Sequence, residues 1–358
     1  MRRRFGLATL STLALAVVLS LVIPGCRAGY VIRSAWFQGE LLASRVPFDE
    51  ARARPDLDPK VRAGLDLVDD IKAYGQEIGL KPTKAYTSIA LDWDRKMWNI
   101  SACPPLSFQP KTWWFPVVGR VPYLGFFRPE DVDRTRARLE AEGYEVYQRK
   151  IGTYSTLGWF ADPLLPGMID DNAYEMARLV LHELAHATVW IPGSVAFNES
   201  FASFVGDEAA TRYIVAREGP DAPELAQALR DEQDMFLWRR LQRDLYERLQ
   251  AVYTDDALSR DEKLARKAQI YAAFPDTVRA APFQDGDWAV KAATNGTWNN
   301  ARLMQFRTYN ERRSAFEVLF EANQGNLLAF MEEVRRVTSE GDDPFEALEQ
   351  AAAVREAR

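Results

Sequence analysis

The chain has 358 residues, 47% of them hydrophobic and 27% charged, which is the balance of an ordinary globular protein with ample material for a core. Its formal net charge is -6. An acidic chain without a basic stripe offers no surface for phosphate backbones, so nucleic acid is excluded as an expected partner.

The N-terminus reads as a targeting segment. Arg2, Arg3 and Arg4 precede a run, 5–23, that carries no charge and is rich in Leu, Ala and Val. That is the pattern of a secretory signal. It ends in Ile23-Pro24-Gly25-Cys26, which resembles a bacterial lipobox, with Pro24 standing where a small or aliphatic residue is usual. The resemblance implies a signal peptide over 1–25, lipidation of Cys26, and a chain tethered to the cell envelope, facing the periplasm, with the outer membrane as the expected address. The alternative is an uncleaved anchor, because 19 uncharged residues approach the length of a membrane span. Cys103 is the only other cysteine, so no disulfide is expected.

Spacing predicts a helix over 30–45 and a second over 60–78, with Val61, Leu65, Val68 and Ile71 on one face. Short aromatic and branched runs at Tyr86–Leu91, Trp98–Ala102 and Tyr123–Phe127, broken by Pro and Gly, predict strands. A polar helix is expected over 129–142, a strand over Tyr144–Arg149, and an extended edge segment over Ile151–Trp159. A helix over 172–190 follows, with Asn172 and Glu175 as its N-terminal cap pair and Pro192-Gly193 as its stop. A further helix is expected from about Asn198 to Ala216. Beyond 223 the chain reads as helical, with Phe236, Leu237, Leu241, Leu245, Leu249 and Tyr253 as a core seam and helices over 311–336 and 343–354. The fold class expected is α+β. Its parts are an α+β portion over 26–170, a helix pair over 171–216 and a helical portion over 217–358.

The chemistry is concentrated at 182–186, His182-Glu183-Leu184-Ala185-His186, which holds the only two histidines in the chain. Positions i and i+4 of a helix stack on one face, so both imidazoles can reach one Zn²⁺ while Glu183 reaches the water beside it. Two imidazoles leave zinc short of a protein ligand. Glu199 is the best third, carried on the next helix; Asp207, Glu208 and Cys103 are the fallbacks.

Several stretches together resemble a family of bacterial lipoproteins assigned as aminopeptidases: the lipobox, Tyr154-Ser155-Thr156-Leu157-Gly158-Trp159, His182–His186, Ala196-Phe197-Asn198-Glu199-Ser200-Phe201-Ala202, Asn299-Asn300-Ala301 and Thr308-Tyr309. The resemblance covers nearly all of the mature chain. It implies a zincin-like metallopeptidase that binds zinc through His182, His186 and Glu199, with Glu183 as general base and a peptide as substrate. Tyr309, Tyr154 and Arg307, in that order, are the candidates for stabilising the oxyanion, and 151–159 is the candidate edge for a peptide strand. The chain has no Gly-x-Met-Glu-Asn element of the kind that binds the substrate amine in one large zinc aminopeptidase family. Two other readings stay open: a non-catalytic envelope lipoprotein that binds peptides, and a zinc amidase acting on cell wall. Ser203 is as readily a packed or solvated residue as a support for the site. Tyr154, Trp159, Trp298 and Tyr309 read more simply as packing aromatics, and Asn299-Asn300 as a turn or helix cap.

Overall fold

The structure, a computed structural model, describes residues 28–93, 96–115, 119–151, 161–304, 312–339, 341 and 343–356. It is α+β, mostly helical with small antiparallel sheets. The first helices are α1 (Ala28–Ala43), α2 (Phe48–Arg52) and α3 (Pro59–Glu77). Asp58 caps α3 by accepting from the Lys60 amide at 2.8 Å, and Pro59 fills the first helical position, where a missing N–H costs nothing. Strand β1 (Val46–Pro47) pairs with β2 (Ser88–Ile89), so the strand expected over Tyr86–Leu91 is real but short.

The main sheet has three strands in the order β6 (Tyr123–Phe126), β3 (Met97–Cys103), β7 (Glu145–Ile151), all antiparallel. Helix α4 (Pro129–Ala141) covers it through Val132 and Leu139. Between β3 and β6 lies a hairpin, β4 (Trp113–Phe115) with β5 (Gly119–Val121), which sequence reading did not anticipate. Strand β7 ends at Ile151, and the remainder of the expected edge segment lies outside the described residues.

Helices α5 (Ala173–Thr188) and α6 (Val195–Glu218) form the centre of the largest hydrophobic core. Asn172 caps α5, accepting from the amides of Tyr174 and Glu175 at 2.9 and 3.2 Å, while the Glu175 side chain turns to Arg178. Helices α7 (Pro223–Thr254), α8 (Arg260–Arg279) and α9 (Asp287–Thr294) build a second core with Phe108. The expected seam on α7 is corrected at one end. Phe236 is 65% exposed, and Trp238, Leu245, Leu249 and Tyr253 make the buried row.

The stretch expected as one helix over 311–336 is two, α10 (Arg313–Ala322) and α11 (Leu327–Thr338). Gln324 and Gly325 both take positive φ, and Asn326 caps α11 by accepting from the Ala329 amide at 3.0 Å, which makes the break a turn with its own chemistry. Helix α12 (Pro344–Glu356) ends the described chain. These last three helices return to α6, where Phe197, Phe201 and Phe204 meet Phe316, Phe330 and Phe345. No helix among the described residues is long and apolar enough to cross a membrane.

Candidate metal centre

The buried stripe of α5 is Ala177, Val180, Leu181, Leu184 and Ala185, all fully buried. It leaves His182 and His186 facing Glu199 on α6. The imidazoles lie one turn apart, with ring centres 4.7 Å from each other and Nε2 atoms 3.1 Å apart. The Glu199 carboxylate completes a triangle, with Oε2 3.6 Å from His182 Nε2 and Oε1 3.8 Å from His186 Nε2. One ligand atom from each of the three lies within 4.8 Å of the others, the single such group found among the described residues.

The connector between the helices explains how Glu199 arrives there. Asn198 is 1% exposed, and its side chain accepts from the Ile191 amide and donates to the Ile191 carbonyl, both at 2.8 Å. This two-way clamp closes the turn through Gly193, which has φ +83. The residue after Asn198 is thereby aimed at the histidines. Two turns further along α6, Gly206 lies against α5. A Cβ there would stand 3.1 Å from the Arg178 carbonyl oxygen and 3.2 Å from His182 Cβ. The missing side chain is what lets the backbone that carries Glu199 pack this close to the backbone that carries His182.

These donors suit zinc. Bonds of about 2.0–2.1 Å in a tetrahedral arrangement put neighbouring ligand atoms about 3.3–3.4 Å apart, and the closest approaches, 3.1 Å between the nitrogens and 3.6 and 3.8 Å to the two carboxylate oxygens, lie on either side of that value. Imidazole and carboxylate are ligands that zinc accepts. Protonation states point the same way for two of the three. Burial pushes His186 down to about 3, so it is neutral at ordinary pH. Burial works against charge on Glu199, but the bond to His182 and the field of both histidines hold its pKa below the usual carboxylate range. His182 is opposite: burial opposes its proton, and Glu199 outweighs that and raises its pKa. A metal there competes with the proton on His182. The His182 side chain is 21% exposed and the His186 side chain 2%, so solvent reaches the cluster from the His182 side.

The fallback ligands are elsewhere. Asp207 is held by Arg178 at 3.0 Å and Arg313 at 2.7 Å. Glu208 is outside the cluster, and burial raises its pKa. Cys103 is a free, buried thiol that donates to the Ser107 carbonyl at 3.0 Å, and burial pushes its pKa up to about 12. Tyr154, Trp159, Arg307 and Tyr309, together with Cys26, lie outside the described residues.

Sequence reading missed several neighbours. Arg149 near the end of β7 is close enough for its charge to act on Glu199. Trp190 packs edge-on to His186 at 5.7 Å. Tyr86 takes φ +53 and is 1% exposed, and its hydroxyl has no hydrogen-bond partner among the described residues. Burial raises its pKa well above 10, and the charges of Glu183 and Asp162 add to that. Asn299 is the cap that was expected, its side chain accepting from the Arg302 amide at 2.9 Å. Asn300 is more than a cap: it is fully buried and receives the hydroxyls of Tyr253 and Tyr271 at 2.7 and 2.8 Å. Trp298 belongs to the second core, as its packing reading expects.

A family model described as "Putative aminopeptidase" matches residues 29–346. The chain belongs to that family. No curated protein and no solved structure matches it. The family's span contains His182, Glu183, His186 and Glu199, and it runs through both cores, so the membership applies to the folded body rather than to one motif.

Proposed function

We propose that the protein is a zinc-dependent peptidase that removes residues from the free N-terminus of peptides, tethered to the cell envelope through Cys26. The observation that carries this reading is the convergence of His182 Nε2, His186 Nε2 and the Glu199 carboxylate, with Glu183 one position along the same helix. Membership of the family supports the peptidase half of the reading.

His182, His186 and Glu199 hold the metal. Zinc supplies Lewis acidity there, polarising a carbonyl and acidifying water. Glu183, 9% exposed and next to His182 in the sequence, is the general base. Its carboxylate takes a proton from water as the water oxygen adds to the scissile carbonyl carbon. It returns that proton to the amine nitrogen as the C–N bond breaks. Because the cluster opens at His182, substrate enters from that side. The edge strand β7, whose Arg149 is close enough for its charge to act on Glu199, is the backbone proposed to pair with an extended peptide. Tyr309 and Tyr154 remain the proposed donors to the oxyanion.

The test is a paired assay of the wild type and Glu183→Gln with matched zinc content on aminoacyl and N-blocked peptide substrates. Cleavage of free N-termini only, reduced at least about 100-fold in the variant, is expected. Equal cleavage of blocked peptides would make the enzyme an endopeptidase. Absence of peptide cleavage, with soluble fragments released from purified cell wall, would replace the reading with an envelope amidase.

A further inference from the structure

Helix α1 has two different faces. Tyr30, Phe37 and Leu41 point inward: the Tyr30 hydroxyl donates to the Gly125 carbonyl at 2.9 Å, its ring packs on Phe126 and Phe115, and Phe37 packs on Phe127. The opposite face carries Val31, Ala35, Trp36, Gly39 and Ala43, all exposed and none charged. Trp36 is 73% exposed, more than any other large hydrophobic side chain among the described residues, and Val31 is 45% exposed. Arg33 sits at the flank of this face and is tied to Asp131. A second strongly exposed tryptophan, Trp114 at 62%, is in β4, whose Phe115 packs on Tyr30.

An uncovered apolar stripe on a helix marks an interaction surface. Its position along the chain says what covers it. Val31 and Trp36 follow the uncharged run 5–23 and Cys26 by five and ten residues, counted from the cysteine. At helical and extended rises, no more than about 20 Å of chain separates Trp36 from the attachment point. A second copy of the chain is a poorer occupant, because one Trp, one Val and three small residues fall short of the roughly 800 Å² per partner of a stable interface. Tryptophan prefers the level of lipid headgroups, and a helix with an apolar stripe and polar flanks lies in the plane of the interface.

We propose that α1 is an interfacial helix: its Val31–Trp36 face rests in the surface of the lipid bilayer to which the chain is tethered. This rests on the tether reading given above. It adds a second point of membrane contact, which fixes the orientation of the folded body and not only its distance from the membrane.

The experiment uses the full chain in vesicles of phosphatidylethanolamine and phosphatidylglycerol, with the photoreactive residue p-benzoylphenylalanine replacing Trp36 or, as a comparison, Phe236 on α7, 65% exposed. Both positions are solvent-facing, so neither replacement disturbs the core. After irradiation, at least a tenfold excess of lipid adduct at position 36 over position 236 is expected. Equal lipid labelling at the two positions, or an adduct at position 36 with a second copy of the chain, overturns the proposal. A chain that floats with the vesicles yet gives no lipid adduct at position 36 overturns the interfacial helix and leaves the tether standing. A chain that stays out of the vesicle fraction overturns both.

Discussion

Glu183 and Glu199 are both buried carboxylates, and the proposed function gives them separate roles. Glu199 faces the two imidazoles, whereas Glu183 is buried one position after His182 and its charge acts on the Tyr86 hydroxyl. Glu199→Ala is expected to lose zinc, and activity with it, while Glu183→Gln keeps close to one zinc per chain and loses only turnover; metal analysis after gel filtration separates the two. Asn198→Ala removes both bonds to Ile191, a loss of about 1–3 kcal/mol. It should also weaken zinc binding by roughly 10–100-fold, since residues that orient a ligand act on affinity through it. Competition with a chelator measures that, and an unchanged zinc affinity would show that Glu199 is aimed by something else. At this scale the sequence was informative where chemistry restricted the choice. With only two histidines, four positions apart, and a metal that needs a third ligand, Glu199 could be picked out on the following helix. Arg149 and Tyr86 could not, because one acts on a partner distant in sequence and the other depends on a backbone angle that no residue pattern encodes, and Asn198 stood in a recognised stretch without its clamp on Ile191 being foreseen.

Helix α6 approaches α5 closely at a single missing methyl group. Gly206→Ala places a Cβ where the Arg178 carbonyl oxygen and the His182 backbone leave too little room, and neither is the flexible end of a side chain. The helices must part by a few tenths of an ångström, at about 1–3 kcal/mol, and Glu199 moves away from His182 with them. Denaturation midpoint and zinc affinity should therefore fall together. Gly39→Ala in α1 is the control: nothing lies within 4 Å of its Cβ, and a gain of about 0.5–1 kcal/mol in helix stability is expected. Helix starts were legible at Pro129, whose fixed φ suits a first turn, and at Asn172, whose side chain accepts from the first free amides. The hairpin at 113–121 was not, because three-residue strands are too short to show a period. The break between α10 and α11 was missed because it depends on two positive φ angles rather than on a proline.

Two buried polar groups tie the larger parts together. Asn300 donates to the carbonyls of Pro104, Pro105 and Ser107, each at 3.1 Å, and its backbone amide donates to Glu145, which also pairs with Lys267. This joins the end of β3 and the start of β7 to α7 and α8. Asn300→Leu leaves those groups unmatched and should cost about 3 kcal/mol or more, seen as a lower midpoint in urea. Lys72 lies beneath the Tyr86 loop, its ammonium donating to the carbonyls of Ala85 at 2.6 Å and of Thr83 and Tyr86 at 3.2 Å. Burial pushes its pKa down from 10.5 to about 8. Between those values the unfolded chain holds a proton that the folded chain has released, so the Lys72 contribution to stability rises with pH across that window. Relative to Lys72→Met, the wild type should gain on the order of 2 kcal/mol from pH 8 to pH 10 in denaturant titrations. Neither residue could be placed from sequence, since an asparagine pair reads as a cap and a lysine as surface. The mixture of small sheets and many helices was legible, but the return of α10, α11 and α12 onto α6 was not, because it depends on aromatic contacts across more than a hundred residues.

Both imidazoles of the chain belong to the candidate metal centre, and there are no others. An untagged preparation therefore has a blank background at the frequencies where histidine rings resonate. A nitrogen–proton correlation tuned to imidazole contains two spin systems, assigned to the site by composition alone. Their tautomer, their protonation and the arrival of a metal can each be followed without assigning the remainder of the spectrum.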